Sequence, residues 1–308
     1  MDRLEAMAML AAAVETGSLS AAGRSLNVPL PTLSRKISDL EAHLGTRLLI
    51  RSTRSLKLTD AGEAYLMAAR RILEEVAEAE RSASGEYSAP RGDLMITAPV
   101  AFGRRRLEPV IVDFLAHYPE INVRLTLSDR NVHLIDDHVD VALRIGALPD
   151  SSLAAIRLGA VRQVVCASPA FLAAQGVPKT PADLAGLPCV THDFMAPATM
   201  WTFGGDHGEM AVPIRSRFSV STAEAAIDAC IAGVGVTRLL SYQVCEAVGR
   251  GDLVVVLEPF EPALAPVSLV YARQGLLPVK LRGFLDFATP KLRTALVESE
   301  RQMGRTAA

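Results

Sequence analysis

The sequence is poor in cysteine, and its cysteines are widely spaced. They number four, and no two of them form a C-x-x-C pair. No histidine stands at the spacing that a structural zinc site would need. This pattern argues against a disulfide framework and a zinc finger, and we expect ordinary buried thiols at Cys166, Cys189, Cys230 and Cys245.

Long apolar runs and an N-terminal signal are also missing. Although 50% of the residues are hydrophobic, no stretch of about 18 uncharged apolar residues exists to cross a bilayer. Asp2 and Glu5 interrupt any apolar segment at the start, and no cationic segment precedes them. We therefore expect a cytoplasmic protein without a membrane partner.

Known catalytic patterns are absent as well. The sequence has no G-x-S-x-G elbow, no H-E-x-x-H pair and no G-x-x-x-x-G-K loop, so acyl transfer, metalloprotease and P-loop chemistry have no candidate residues. Gly233-Val234-Gly235 lacks a third glycine and follows a predicted helix rather than a strand, which favours a simple turn. We expect no enzymatic activity and no cofactor.

The charge is unevenly distributed, although the formal net charge is only −2. Between Arg24 and Lys57 there are seven cations and two anions, so this segment carries +5 and the rest of the chain carries −7. A basic segment attached to a larger acidic part is typical of a nucleic-acid reader fused to another domain, and a solvated surface would give the same count.

Two predicted helices joined by a tight turn lie inside this basic segment. The first runs from Ala21 to about Leu26, with Ser18 or Ser20 as its cap, and Asn27-Val28-Pro29 ends it. The second begins near Pro31 and places four apolar residues on one face, opposite a polar, cationic face. Those four residues are Leu33, Ile37, Leu40 and Leu44. This arrangement predicts a helix-turn-helix.

A predicted hairpin follows the second helix. The runs 47–50 and 56–58 are strand-like, and the five residues between them are cationic and rich in hydroxyl groups. Such a hairpin beside a helix-turn-helix is expected to form a wing.

The segment ETGSLSAAGRSLNVPLPTLSRKISDLEAHLGTRLLIRSTRSLKLTDAGEAYL resembles the DNA-binding end of LysR-type transcriptional regulators. The resemblance implies a winged helix-turn-helix in residues 1–60. Many family members carry a polar residue, often Gln, at the position of Leu30, which could instead contact a thymine methyl group. The expected DNA-binding residues are Ser20, Leu30, Pro31, Thr32, Ser34, Arg35, Lys36, Arg51, Thr53, Arg54 and Lys57.

A long helix is predicted from Asp60 to about Ser84. Small or apolar residues recur three and four apart along it, at Ala61, Tyr65, Ala68, Ile72, Val76 and Ala79. In the family this helix pairs with its twin, whereas alone the pattern would fit any surface helix. We assign residues 61–91 to a linker for dimerisation and a hinge, with the hinge at 82–91.

Strands alternate with helices from Gly92 onward, which predicts an α/β fold with mostly parallel strands. The order resembles the effector-binding part of LysR-type regulators, which has two lobes of periplasmic-binding-protein architecture. The segment VDVALRIGALPDSSLAAIRLG matches that part closely. We assign residues 92–308 to an effector domain, with lobe I at about 92–163 and 268–308 and lobe II at about 164–267, joined by crossings near 162–168 and 266–273.

Ligands of open α/β sheets lie beyond the carboxyl ends of strands, near helix N-termini. The first such place precedes a helix predicted to begin at Arg104, and Ser221-Thr222 is its analogue in the other lobe. The family places further ligand-facing residues at the positions of Arg144 and His192, although both could be structural. The expected effector-binding residues are Pro99, Val100, Ala101, Phe102, Gly103, Arg144, His192, Ser221 and Thr222. An apolar first loop favours an aromatic or lactone-like effector over a small diacid.

Three other clusters have plainer explanations. A metal site at His133, Asp136, Asp137, His138 and Asp140 competes with a solvated helix end, which the resemblance favours. Arg104, Arg105 and Arg106 spread over about 200° of a helix and are expected to be mostly solvated. A buried structural thiol is favoured over a redox sensor at Cys166, and Trp201 and Phe203 are expected to pack between elements of a lobe.

The sequence therefore predicts a ligand-responsive regulator that binds double-stranded promoter or operator DNA and a small-molecule effector. The resemblance implies a homodimer or homotetramer and leaves room for contact with RNA polymerase. The alternative is a cytosolic solute-binding protein or enzyme with an incidental basic domain, which would bind a ligand without specific DNA affinity.

Overall fold

The computed structural model describes residues 2–51, 56–83, 89–130, 134, 139–148, 153–192, 199–204, 208–273 and 277–303. The chain divides into two compact units, Met1–Ala89 and Pro90–Ala308. Each unit has its own hydrophobic core, and each is described by itself.

The first unit is a helical domain with a two-stranded hairpin. Its elements are α1 (Arg3–Glu15), α2 (Leu19–Ser25), α3 (Leu30–Leu44), β1 (Leu49–Arg51), β2 (Leu56–Leu58) and α4 (Asp60–Ala83). The Asp2 side chain caps α1 by accepting hydrogen bonds from the amides of Leu4 and Glu5. Ser18 caps α2 through the amide of Ala21, which decides between the two predicted caps.

The core of this unit joins α1, α2, α3 and the hairpin. Leu10, Leu33, Ile37 and Leu40 are all 0% exposed. The apolar face predicted for α3 is confirmed for these last three residues and is wrong for Leu44, which is 38% exposed. Gly45 ends the helix immediately after Leu44 with a φ of 65°, so the chain turns away before Leu44 can be covered.

The face that α4 buries differs from the predicted stripe. Gly62, Leu66 and Ala69 are buried, whereas Ala61 and Ala79 at the ends of the stripe are exposed. At 100° per residue the two faces lie about 90° apart. The stripe is therefore not the surface with which α4 packs on its own domain.

The second unit begins with the segment that supplies four strands of its first sheet, together with the helices between them. Its first elements are β3 (Gly92–Ala98), α5 (Val100–Phe102), a π-helical turn (Gly103–Leu107), α6 (Glu108–His117), β4 (Ile121–Leu127), β5 (Val141–Ile145) and β6 (Leu153–Val161). The alternation of strands and helices also predicts a helix near 132–136; Leu134 is described there as a turn residue, and the rest of that range lies outside the described residues.

The middle of the unit forms the second lobe. Its elements are β7 (Gln163–Ala167), α7 (Pro169–Gln175), a 3-10 helix (Pro181–Gly186), β8 (Pro188–His192), β9 (Met200–Phe203), β10 (Met210–Pro213), β11 (Arg215–Val220), α8 (Ala223–Ile231), β12 (Val236–Leu240), α9 (Ser241–Gly249), β13 (Val254–Val256) and a 3-10 turn (Glu258–Phe260). The chain then continues into β14 (Ala265–Ala272) and α10 (Val279–Gln302).

Two five-stranded sheets are the frames of the two lobes, in the orders β4-β3-β5-β14-β6 and β11-β8-β12-β7-β13. In each sheet four strands run in the same direction, and one strand, β14 in the first sheet and β7 in the second, runs antiparallel to its two neighbours. The expectation of mostly parallel strands is therefore confirmed for strand direction, and β14 and β7 make both sheets mixed. The antiparallel strands β14 and β7 arise because the chain enters each sheet from the other lobe.

The chain passes between the sheets at Arg162, which separates β6 from β7, and again between Val256 and Ala265. The second passage was expected near 266–273, a range that largely coincides with β14. It lies just before that strand. The antiparallel neighbours β6 and β14 thus carry the chain out of the first sheet and back into it. Among the described residues no single helix is long and apolar enough to cross a membrane, although α1 and α2 together meet the length and composition criteria across a bend of 117°.

Candidate DNA-reading surface and inter-lobe cleft

The first half of α3 presents its polar face on the side opposite the core. Arg35 is exposed, and Thr32 and Ser34 are partly exposed. Leu30, the first residue of the helix, is 43% exposed, and Pro31 beside it is also exposed. Pro29 and Pro31 give this helix start a fixed backbone and no side-chain cap. The surface thus combines two hydroxyl groups, the Arg35 cation and two apolar residues.

Lys36 has an intramolecular partner. Its ammonium group pairs with the carboxylate of Glu5 on α1, and the Lys36 side chain is 25% exposed. Of the cations predicted on α3, Arg35 is thus the exposed one and Lys36 contributes to packing between α1 and α3. Ser20 lies exposed on α2, near the start of that helix.

The hairpin is fixed to α3 and α4 by hydrogen bonds. Glu41 Oε1 on α3 accepts from the amides of Leu48 at 2.9 Å and Leu49 at 3.0 Å. Thr59 Oγ1 donates to the carbonyl of Arg47 at 2.7 Å. A Cβ on Gly62 would lie 2.0 Å from the carbonyl oxygen of Leu48, so α4 approaches β1 at a distance that glycine alone allows.

The described part of the hairpin carries one exposed cation, Lys57. Ile50 pairs with Lys57, and Arg51 pairs with Leu56 across the hairpin. The Arg51 side chain, Thr53 and Arg54, which were predicted to contact DNA, lie outside the described residues.

A cleft of about 390 Å³ lies between the two sheets of the second unit. Three predicted residues line it: Pro99, Arg144 and His192. The lining also contains residues that the sequence did not single out for binding, listed here as Ser128, Asp129, Arg130, Ile145, Gln163, Trp201, Arg238, Leu239, Leu240, Tyr242, Gln243 and Ala265. The cleft is thus built from both lobes.

Residues 99–103 were predicted to form an effector-binding loop before a helix, but residues 100–103 are themselves helical. This corrects both the start of the helix and the role expected of these residues. The helix begins at Val100 rather than at Arg104, because Pro99 presets the backbone at its N-terminus. Ala101 and Gly103 are buried, and the Phe102 ring packs edge-on against Tyr242 at a centroid distance of 5.1 Å. The Val100 amide donates to Asp129 Oδ1 at 3.0 Å. Ala101, Phe102 and Gly103 thus lie in the core, and residues 100–103 are not among the described residues that line the cleft.

The predicted analogue in the other lobe lies elsewhere. Ser221 and Thr222 are exposed and do not line the cleft. Thr222 Oγ1 accepts a hydrogen bond from the Ala225 amide at 3.3 Å and so caps α8. Its sequence signal, a hydroxyl before a helix, is explained by capping.

Arg238 was missed, although the alternation of strands and helices predicts a strand at 234–239 and Arg238 stands near its end. Its guanidinium lies 5.1 Å from the centroid of the Trp201 ring and 5.9 Å from that of Phe203, and its Nη1 donates to the Thr202 carbonyl at 2.8 Å. The aromatic packing expected for Trp201 and Phe203 therefore includes a cation. The position beside a strand's carboxyl end is the signal that could have found it.

Three other cleft residues have unusual surroundings. Burial lowers the pKa of Arg144, which means that its guanidinium has lost part of its hydration. His192 Nε2 is buried and has no hydrogen-bond partner among the described residues. Burial, with Asp129 and Glu224 nearby, raises the pKa of Tyr242, so its hydroxyl stays protonated.

The arginine run also departs from expectation, because all three of its side chains reach the second lobe. Arg104 lies 3.3 Å from Glu224, Arg105 lies 3.1 Å from Glu246, and Arg106 Nη2 lies 3.5 Å from Cys245 Sγ. The Arg104 side chain is 55% exposed and that of Arg105 is 25% exposed. The expectation of a mostly solvated run is thus wrong beyond Arg104. In a π-helix each residue rotates by a smaller angle about the helix axis than in an α-helix. The three consecutive arginine side chains therefore spread over a narrower arc.

Arg162 is the centre of a second contact between lobes. Its side chain is 10% exposed and lies 3.7 Å from Glu258, 3.3 Å from Glu261 and 3.3 Å from Glu300. Nε and Nη1 lack hydrogen-bond geometry to these carboxylates, so the attraction is chiefly Coulombic. Both chain passages and α10 meet at this residue.

The remaining candidates are structural in the described residues. All four cysteines are unpaired by disulfides and buried, as expected. Asp140 Oδ2 accepts the Met95 amide at 2.7 Å, which gives that carboxylate a role in joining two segments. The other members of the candidate metal cluster, residues 133 and 136–138, lie outside the described residues, and no metal-binding group is found among the described ones.

Comparison with known proteins connects both surfaces to one kind of protein. The family described as LysR substrate binding domain matches residues 88–293. The family described as bacterial regulatory helix-turn-helix protein, lysR family, matches residues 4–63. One match covers the polar face of α3, and the other covers the cleft.

Individual relatives match over almost the whole chain. An HTH-type transcriptional repressor of Pseudomonas aeruginosa is 34% identical over 93% of this chain and 91% of its own length. The HTH-type transcriptional activator AaeR of Escherichia coli is 31% identical over 94% of each chain. The solved structure of CrgA, a LysR-type regulator of Neisseria meningitidis, is 32% identical with a TM-score of 0.60 and covers 94% of this chain and 98% of its own.

Proposed function

Since the chain belongs to the LysR family of transcriptional regulators, with a DNA-binding helix-turn-helix and an effector-binding domain, we propose that α3 reads its operator through the first half of the helix. Thr32, Ser34 and Arg35 contact base edges or nearby phosphates in the major groove. Arg51, Thr53, Arg54 and Lys57 hold the flanking backbone or minor groove. The observation that carries this assignment is the exposed polar face of α3 opposite the buried Leu33–Ile37–Leu40 face.

Two copies place two such helices in successive major grooves. The stripe on α4 supports this dimer, because Tyr65, Ile72 and Val76 are only partly buried within the chain and lie beside the face that packs on the same domain. A second copy of the helix can cover them. Pairs of dimers would give the tetramer that the family resemblance implies.

The effector changes the arrangement of the dimers and thereby the bending of DNA. It does so to the extent that it binds one arrangement better than another. The protein acts in the cytoplasm, where its DNA is, without catalytic activity, and contact with RNA polymerase is one route to an effect on transcription. The cleft between the lobes is the effector site.

In vitro selection tests this proposal. Purified protein is mixed with sheared DNA from its source genome at moderate salt, and the retained fragments are sequenced. We expect a few sharp peaks that share an interrupted A/T-rich dyad. Diffuse enrichment that disappears with added salt would contradict it, because non-specific binding rests on phosphate contacts alone.

A further inference from the structure

The two lobes of the second unit share part of one hydrophobic core. Tyr242 stands on α9 of the second lobe, yet its side chain is 1% exposed within the core of the first lobe. Leu240, which precedes α9, packs against the same core. The Tyr242 ring lies edge-on against Phe102 of the first lobe. Separation of the lobes would expose this ring pair to water, and the hydrophobic effect opposes that exposure.

The last turn of α10 extends in the opposite direction, from the first lobe to the second. The buried apolar residues of α10 that pack in the core of the first lobe are Leu281, Phe284, Leu285, Ala288, Leu292 and Leu296. Met303, directly after the helix, packs instead against the core of the second lobe. The Gln302 carbonyl lies beside Gly249 at the end of α9, where an added Cβ would be 3.7 Å from it. We call residues 299–303 the C-terminal strap.

Ser241 connects the C-terminal strap to the first chain passage. This residue begins α9 and is 0% exposed. Its hydroxyl donates to Glu300 Oε1 at 2.5 Å and accepts from the Arg162 amide at 3.2 Å. The Ser241 amide donates to the Arg162 carbonyl at 2.9 Å. Glu300 Oε2 lies 3.3 Å from Arg162 Nε. The backbone of the passage, the start of α9 and the strap are therefore held by one set of polar contacts.

These contacts surround the place where a hinge would have to bend. Hinge closure needs a few residues that change their backbone angles while the two parts separate around them. Here both backbone groups of Arg162 are hydrogen-bonded to Ser241. Apolar contacts made by Tyr242 and Met303 would have to break in the same movement. Relative motion of two lobes is the ordinary expectation only where their interface is small and polar.

From these observations we infer that the C-terminal strap fixes the second lobe on the first, so that the two lobes move as one rigid body and the cleft keeps its width. The consequence for the effector rests on the proposed function. An effector then fills a preformed cleft instead of drawing two lobes together around itself. The change that it causes lies in the arrangement of whole domains and copies, with the lobes unmoved relative to each other.

The distance between the lobes tests this inference on the full chain. Ala116→Cys on α6 and Ala174→Cys on α7 place one exposed thiol in each lobe, whereas the four native thiols are buried. Spin labels on the two introduced thiols report their separation by pulsed electron–electron resonance. Labelled chains are diluted with an excess of unlabelled chain, so that distances between copies do not contribute. We expect one narrow distance, which the addition of a selected operator leaves unchanged.

A broad or two-peaked distribution in the parent, or a changed distance on operator binding, would overturn the inference. An independent measurement is unfolding in urea. The fluorescence of Trp201, the single tryptophan of the chain, reports the second lobe, and amide hydrogen exchange in β3 reports the first. Both signals should change at the same urea concentration if the lobes are one body. Separate midpoints would contradict this account.

Variants assign the rigidity to the C-terminal strap. Glu300→Gln removes the charge that faces Arg162, and Met303→Ala removes the apolar contact with the second lobe. We expect each to make amide exchange in the last turn of α10 about tenfold faster and to broaden the distance distribution, and the double variant to broaden it further. Glu298→Gln, an exposed carboxylate on the same helix, is the control that should behave as the parent does.

A distribution as narrow in both single variants as in the parent would overturn the role of the strap, even where the double variant does not fold. Selective operator binding is measured on the same preparations. Selective binding by a protein with mobile lobes overturns this inference alone. Rigid lobes without selective DNA binding overturn the proposed function alone.

Discussion

The carboxylate of Glu41 accepts a hydrogen bond from the amide of Leu48 at 2.9 Å and thereby connects α3 to the hairpin that follows it. The same oxygen accepts from the amide of Leu49 at 3.0 Å. A single side chain on the helix thus satisfies two backbone donors at the start of β1. The orientation of the wing relative to α3 depends on this carboxylate.

Replacing Glu41 tests that dependence. Glu41→Ala removes the acceptor of both amides, so we expect amide hydrogen exchange at Leu48 and Leu49 to become about tenfold faster through local opening. DNA affinity should fall at the same time, because the start of β1 loses its connection to α3. Glu41→Gln retains an acceptor oxygen and should show a smaller effect. Equal exchange in the parent and in Glu41→Ala would contradict this account.

Gly62→Ala tests the close approach of α4 to β1. The added Cβ would meet the Leu48 carbonyl, which is backbone and cannot rotate away. We expect a loss of about 1–3 kcal/mol from overpacking, seen as a lower thermal midpoint of the first unit. Gly186→Ala, where a Cβ meets nothing within 4 Å, is the matched control. A neutral Gly62→Ala would show that α4 is not packed on β1 as described.

Periodic features of the fold could be predicted from the sequence, and features that depend on distant partners could not. The buried face of α3 follows from Leu33, Ile37 and Leu40 alone, since their spacing matches the helix repeat. The lobe contacts of Arg105 could not be predicted, because an α-helical repeat was assumed where a π-helical turn occurs. That turn is not encoded by any apolar periodicity in the segment.

The Arg162 contact makes a prediction about the stability of the second unit. Arg162→Met leaves three carboxylates near one another without their guanidinium group. Breaking a buried ion network costs about 3–5 kcal/mol, and we expect about 2 kcal/mol here because Glu258 is 46% exposed. The thermal midpoint of the unit should fall by about 4–8 °C.

Arg250→Met is the control for this change. Arg250 pairs with Asp252 at 2.7 Å, but its side chain is 60% exposed, so its removal should have little effect on the midpoint. A similar decrease of the thermal midpoint for both variants would show that Arg162 contributes no more to stability than an exposed arginine does.

The buried thiols predict an alkaline limit of stability. Burial raises the pKa of Cys189 from 9.0 to about 11, and a hydrogen bond with Cys230, together with burial, raises the pKa of Cys166. Since the folded pKa lies above the unfolded one, the stabilisation is complete below the unfolded pKa and is lost as the pH rises through the folded pKa. Unfolding monitored between about pH 8 and pH 11 should show this loss, and Cys189→Ala should reduce it.

Reactivity of the same thiols gives an independent check. At about pH 8 the native protein should resist a thiol reagent that labels the urea-unfolded chain completely. Rapid labelling of the native protein would contradict the structural role of these cysteines.

The residues of the cleft also divide into those that the sequence could predict and those whose position depends on partners far away in the sequence. Arg144 and His192 could be assigned to it by resemblance to the family. Arg144 lies one residue before the end of β5, and His192 ends β8. Tyr242 could not, because α9 was not predicted and its ring packs on Phe102, which is far away in the sequence. The hydroxyl of Thr222 was assigned to the cleft because a helix cap and a ligand contact have the same local pattern.

The central claim is that α3 reads base sequence through Arg35, and titration of one selected operator tests it most directly. Affinity of the parent, Arg35→Ala and the control Arg217→Ala is measured on the operator and on scrambled DNA, at several salt concentrations. The account predicts that Arg35→Ala alone loses affinity for the operator, by about 1–3 kcal/mol if it contacts a base, and narrows the gap between operator and scrambled DNA. If Arg35→Ala retains both affinity and preference at low and high salt, the assignment of the DNA-reading surface is wrong.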